Sequence, residues 1–152
     1  MGQAVFQLRD YHVIETVYKF DPFFNDDDSE KLTPKFSFAS RRNLDDPTLI
    51  AVELGITIGD EELDTTSLFV SAKILGIFQI VGELEEKEVI KFTRLNAVAL
   101  LYPYLRALIS DLTSKGSEAP IILPTMNIAQ MMERVHGIDE NDLKQKTEKK
   151  ST

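Results

Sequence analysis

The 152-residue chain contains no cysteine, which excludes disulfides, thiol nucleophiles and cysteine-based metal sites. Its two histidines, His12 and His136, fall in different predicted elements without the spacing of a helical metal pair. No metal site or cofactor is expected from them. No apolar run reaches the roughly 18 residues that a membrane-spanning helix needs, so no direct insertion into a membrane is expected. The opening Met1-Gly2-Gln3-Ala4-Val5-Phe6-Gln7 has no basic start, and no signal peptide is legible there. Basic charge is in deficit, since 17 Lys and Arg against 25 Asp and Glu leave a net charge of -8. Nucleic-acid binding depends on basic side chains that neutralise phosphates, so no nucleic-acid partner is expected. The glycines never gather into a phosphate-cradling loop, and there is no Gly-x-Ser-x-Gly elbow. Asp26-Asp27-Asp28 lacks the alternate spacing and central glycine of a calcium loop. No catalytic constellation emerges, and an enzyme is not expected. These absences leave the cytoplasm as the expected address.

What is present is patterned apolar sequence. The length suits one domain with a real core, and 43% hydrophobic residues are ordinary for a globular chain. Val5 to Phe24 is rich in Val, Ile, Tyr and Phe. Its alternation loses phase near Asp10 and Tyr11, where a bulge is expected, and Pro22 and the run to Ser29 end it. Phe36 and Phe38 alternate with polar neighbours in a second strand, roughly Thr33 to Arg42. Ile50, Val52, Leu54, Ile56 and Ile58 alternate without a break in a third. The fourth, Ser67 to Val81, is apolar on both faces, which predicts cover on both. Short connections suggest an antiparallel meander.

The period then changes from two to 3.6. Leu95, Val98, Tyr102, Leu105, Ile109 and Leu112 make one stripe, and Ala97, Leu101, Tyr104 and Leu108 a second beside it. Together they form a wider apolar face than one small sheet should cover. A loop, a second helix or another copy of the chain could cover the surplus. Pro103 predicts a kink or restart, and Gly116 a left-handed helix end. Asn127, with Gln130 three residues on, predicts a short second helix that stops at Gly137. The reading is α+β: a four-stranded antiparallel meander with a long Pro-kinked helix and a short C-terminal helix on one face. Residues 1–138 would form the domain, and 139–152 a polar, disordered tail.

Three segments carry a resemblance. Gly76-Ile77-Phe78-Gln79-Ile80-Val81-Gly82, Leu101-Tyr102-Pro103-Tyr104-Leu105-Arg106 and Leu123-Pro124-Thr125-Met126-Asn127 occur in order. They resemble the Gly-Ile-Phe strand end, the Pro-Tyr helix and the lead-in to the last helix of the SecB family of bacterial export chaperones. The opening Phe6-Gln7, with Arg9, is similar to the family's start. The resemblance implies a SecB-like homo-oligomer, a dimer of dimers packed through the long helices. It implies a cytoplasmic chaperone that binds unfolded preproteins in apolar grooves and passes them to the translocase motor SecA. Phe78, Tyr102, Tyr104, Ile121, Leu123 and Met126 are the groove candidates. Val70, Ala72, Ile74, Leu101, Leu105 and Leu108 are candidates for the oligomer interface. Two departures bear on SecA: Ser71 stands where the family carries an acidic residue on the fourth strand, and the tail is lysine-rich.

The acidic surface would favour basic segments of a client, or serve solubility alone. A second reading is a dedicated SecB-like adaptor of one partner, such as an antitoxin. A third, from another class, is a small-ligand or enzymatic α+β domain, which would need one closed polar pocket.

Overall fold

The computed structural model describes residues 5–116 and 119–125. Strands β1 (Val5–Phe20), β2 (Pro34–Arg42), β3 (Leu49–Gly59) and β4 (Leu68–Val81) precede helices α1 (Glu86–Phe92) and α2 (Val98–Ser114). A widened π-type turn over Thr93–Ala97 joins the helices. All strand pairs are antiparallel. The alternation in the sequence becomes the two faces of the sheet. Ile50, Val52, Leu54, Ile56 and Ile58 of β3 are buried, as are Leu68, Val70, Ala72, Ile74, Phe78 and Ile80 of β4. With Phe36 and Phe38 of β2 they form one apolar floor.

The α+β class and the four-stranded sheet stand as expected, but the strand order is β1-β4-β3-β2. Only β2, β3 and β4 run as a meander. β1 crosses the whole sheet to pair with β4, from Val5 opposite Val81 to Phe20 opposite Leu68. The physical reason is the connection of residues 21–33, which is too long for a hairpin. Crossing three strand spacings takes only about 14 Å, well within its reach. This connection is tied to the β3–β4 turn, because the Glu30 amide donates to the Thr65 carbonyl at 2.8 Å. The expected phase slip lies between Leu8 and Asp10, and a second lies between Val13 and Glu15.

Both helices lie on the face that carries Gly76. A Cβ on Gly76 would come within 2.8 Å of Leu101 Cδ2 and of Phe78 Cε2. Glycine is therefore required there by close approach of the helix, not by backbone conformation. The opposite face of β4 has no helix over it among the described residues. Phe69 and Ser71 are nevertheless buried there, and Leu75 and Ile77 are half-buried. Because β4 is a central strand, flanking side chains shield it; the Lys19 ammonium sits 5.7 Å from the Phe69 ring centre. The expected second cover is thus supplied at least in part from within the sheet.

Three helix expectations are corrected. The helical segment begins at Glu86, well before Leu95. Its charged first turn hides the start from apolar periodicity, while Arg42 fixes it with two hydrogen bonds to the Glu86 carboxylate at 2.9 and 2.7 Å. Secondly, of the kink or restart expected at Pro103 the restart does not occur, because α2 continues through it. The proline lacks only the donor to the carbonyl four residues back, on Ala99, and Ala99 is exposed to water. The departure from α-geometry comes earlier, where the Thr93 hydroxyl donates to the Val89 carbonyl at 2.7 Å and competes with the backbone ladder. Thirdly, positive φ among the described glycines is confined to Gly59 and Gly82, so Gly116 is not left-handed. A Cβ on Gly116 would collide with the Tyr18 hydroxyl, which explains glycine there by packing. The helix expected from Asn127 to Gly137, and the tail after it, lie outside the described residues.

Substituting Gly76→Val should lower stability by about 1–3 kcal/mol, the usual cost of overpacking. Urea unfolding of the two chains checks this, and an unchanged midpoint would show that α2 does not approach β4 so closely.

Candidate functional site

The most developed constellation lies along one side of α2. Tyr102, Arg106 and Ser110 sit four residues apart and therefore share a helix face. Opposite them runs the extended segment of residues 119–125. The Arg106 Nε donates to the Leu123 carbonyl at 2.7 Å, and the Ser110 hydroxyl to the Ile121 carbonyl at 3.1 Å. The Tyr102 hydroxyl donates to the Pro124 carbonyl. The Ile121 amide donates to the Thr113 hydroxyl oxygen at 2.8 Å, while that hydroxyl gives its own proton to the Ile109 carbonyl at 2.8 Å. Four side chains thus grip main-chain atoms only.

The local sequence explains the arrangement. Pro120 and Pro124 bracket the segment, favour extended backbone and lack N–H groups that would need partners. Alternation turns Leu123 inward, where it is 1% exposed, and leaves Ile122 68% exposed. Between the segment and the outer face of α2 lies an open groove of about 580 Å³. Pro103, Arg106, Ala107, Ser110, Pro120 and Ile122 are among the residues that line it. Burial pushes the Tyr102 phenol above its usual range, against the opposing charge of Arg106. The hydroxyl therefore remains a proton donor throughout the neutral range. Burial likewise raises Tyr11, and Tyr104 adds to the shift.

The groove candidates do not form one open surface. Phe78 is 0% exposed, stacked on Phe6 with ring centres 4.7 Å apart. Tyr102 is buried edge-on against Phe36 at 6.2 Å. Ile121 is half-buried, and Leu123 belongs to the core. Tyr104 is 47% exposed but faces β1, where its ring lies 4.8 Å from Tyr11. Phe78 therefore supports the site from beneath, whereas the buried Tyr102 still presents its hydroxyl to the segment and Leu123 is the segment's own buried side chain. Met126 lies outside the described residues.

The interface candidates need a similar correction. Val70, Ala72, Ile74, Leu101 and Leu105 are all 0% exposed within one chain, and Leu108 packs partly buried against the same core. Periodicity gives the face that must be covered but not the molecule that covers it. Here β1 reaches the second stripe through Tyr11, against Tyr104, and meets the turn after α2 through Tyr18. Arg106, Ser110 and Thr113 were missed as backbone-binding groups. Their signal was a polar row at i, i+4 and i+7 beside the apolar stripe, followed by a proline-bracketed Ile-Ile-Leu.

The family model described as Preprotein translocase subunit SecB matches residues 23–136. The chain belongs to the SecB family. An uncharacterized protein of Methanocaldococcus jannaschii is 33% identical over 124 residues, or 80% of this chain and 79% of that one. The protein-export protein SecB of Alcanivorax borkumensis is 27% identical over 129 residues and 82% of each chain. A Mycobacterium tuberculosis SecB-like chaperone, solved with a peptide from an antitoxin, superimposes with a TM-score of 0.64 at 17% identity. That match covers 80% of this chain and 91% of the other, and it shows the SecB-like fold. Two of the three resembling segments now have physical causes in this SecB-family chain. Gly76 admits α2, and Tyr102 with Arg106 binds the segment that ends in Leu123-Pro124. Among the described residues no group of three or more potential metal-binding side chains gathers, and no helix is long and apolar enough to cross a membrane.

The raised Tyr102 value gives a pH test. Its folded state favours the protonated phenol, so its contribution is whole below the unfolded value near 10 and fades as pH rises through the folded value. Urea midpoints taken between about pH 9 and 11 should fall more steeply for the parent chain than for Tyr102→Phe. Parallel slopes would rule out that contribution.

Proposed function

We propose that the chain is a holding chaperone, not an enzyme, which binds non-native polypeptides and keeps them unfolded. Its membership of the SecB family over residues 23–136 carries this reading. The geometry supports it, since α2 contacts an extended chain through main-chain carbonyls, a mode that any polypeptide offers. Export-bound precursors are the clients we assign, with delivery to SecA in the cytoplasm. The first named relative with a stated role, a protein-export protein, favours that assignment over an antitoxin adaptor.

We also assign assembly into a dimer of dimers to side chains that one chain leaves uncovered. Val13 and Ile14 on the edge strand β1 are 48% and 51% exposed, and Leu100 and Tyr104 on α2 are 42% and 47% exposed. These replace the positions implied by the family resemblance, which are buried within one chain.

Stoichiometric chain should suppress aggregation of a chemically unfolded precursor diluted from denaturant, read by light scattering. Unchanged scattering at one tetramer per client would sink the chaperone reading. Native mass spectrometry should give four times the chain mass of 17.2 kDa. A strict monomer would contradict the assembly, and a Val13→Asp/Ile14→Asp chain should lose it while keeping its fold.

A further inference from the structure

We infer that residues 119–125 are a resident occupant of a polypeptide-binding track on α2, which an extended client segment takes over by displacing them. This rests on the chaperone reading and names the site and the chemistry of its ligand. Three observations carry it.

The first is how the segment is held. Among the described residues, no backbone–backbone hydrogen bond joins it to the sheet or to α2. Its polar anchors are Tyr102, Arg106, Ser110 and Thr113, all from one helix. Its one deeply buried side chain is Leu123, while Pro120, Ile122, Pro124 and Thr125 are exposed. A client that presents carbonyls, an apolar side chain at the Leu123 position and a second one at the half-buried Ile121 position would restore these contacts, and any non-proline residue at 121 restores the amide bond.

The second is register. Four residues of helix advance about 6 Å, and two residues of extended chain about 6.6 Å. Arg106 and Ser110 therefore keep step with the Leu123 and Ile121 carbonyls, two residues apart along an antiparallel extended chain, while the longer Tyr102 side chain reaches the adjoining Pro124 carbonyl. Nothing in that match depends on the side chains of residues 119–125.

The third is room beside the track. The open groove between Ile122 and the outer face of α2 exposes Arg106 and Ser110 along its length. An incoming chain reaches the donors before the resident one has left, so exchange need not pass through a bare core. The ligand class is an extended segment with a leucine-sized side chain at the Leu123 position and a second apolar side chain at the Ile121 position, the residue between them facing solvent.

The lack of native cysteine makes the test clean. Ala107→Cys and Ile122→Cys place two thiols on opposite walls of the groove. A short reducible bis-maleimide then locks the segment in place. The probe is fluorescently labelled, reduced and carboxymethylated α-lactalbumin, with affinity read by anisotropy. Locking should weaken binding by roughly tenfold or more, because the open state is removed from the population. Reduction of the linker should restore it. The same chain with both thiols capped separately carries the added bulk without the crosslink and should bind more tightly than the locked chain. Hydrogen exchange gives a second readout: the Ile121 amide should exchange faster when client is bound. Equal binding by locked and released chains, equal weakening by the separate caps, or unchanged or slower exchange at Ile121 overturns the inference. A parent chain that fails to bind the probe overturns the chaperone reading and this inference with it. Probe binding that survives locking strikes the inference alone.

Discussion

Gly76 sets how low α2 lies on the sheet, and most of the rest follows from that height. Without a Cβ at Gly76, Leu101 reaches the floor of the core. One residue later Tyr102 meets Phe36 on the β2 side, and three residues later Tyr104 meets Tyr11 on the β1 side. At the end of the helix Gly116 passes beneath the Tyr18 hydroxyl. Three points along one helix, and a fourth just past its end, are thus fixed against three of the four strands. A side chain at Gly76 would lift the helix and disturb them together, because packed interiors respond to even one extra methylene.

This dense fixing on one face leaves a different chemistry on the outer flank of α2. There the helix offers hydroxyls and a guanidinium instead of apolar surface, and the partner offers carbonyls. A charge-assisted bond from Arg106 is stronger than a neutral one and is indifferent to the residue whose carbonyl it meets. Thr113 completes the row by passing its own proton to the helix while accepting from Ile121. Among the described residues no buried side-chain nitrogen or oxygen lacks a hydrogen-bond partner, so the flank tolerates being partly buried.

The strands were legible because a two-residue period survives in β2, β3 and β4, and even the phase slip near Asp10 left a trace. Strand order was not, since alternation marks a face and never a neighbour. The length of residues 21–33 was the available signal against a simple meander. The helix stripes at Leu101, Leu105 and Leu108 were correctly apolar, yet their partner proved to be the sheet of the same chain. Pro103 looked like the decisive irregularity, while Thr93, an unremarkable residue in sequence, coincides with the real one. A proline costs little when the carbonyl it strands faces water, and a buried threonine that bonds back to its own helix does not announce itself by type.

The candidate site was the least legible part, for a reason that belongs to its chemistry. Phe78 and Tyr102 were singled out through the family resemblance. The structure uses Phe78 as support and Tyr102 as a donor through its hydroxyl. Contacts to main-chain atoms leave almost no mark on the partner sequence, since every residue carries a carbonyl. Only the donors are visible, as Tyr102, Arg106 and Ser110 at helical spacing, and such a row reads equally well as a solvated face. A protein that must hold many sequences is built from contacts of this kind, because affinity drawn from side-chain complementarity would fall away with each new client. Leu123 supplies the complementary part, a single apolar anchor whose burial is worth about 1.5–3 kcal/mol. Backbone contacts set the direction and register of the held chain, while one pocket limits how long any register lasts. That division would let a segment bind firmly enough to be kept from aggregating and weakly enough to leave.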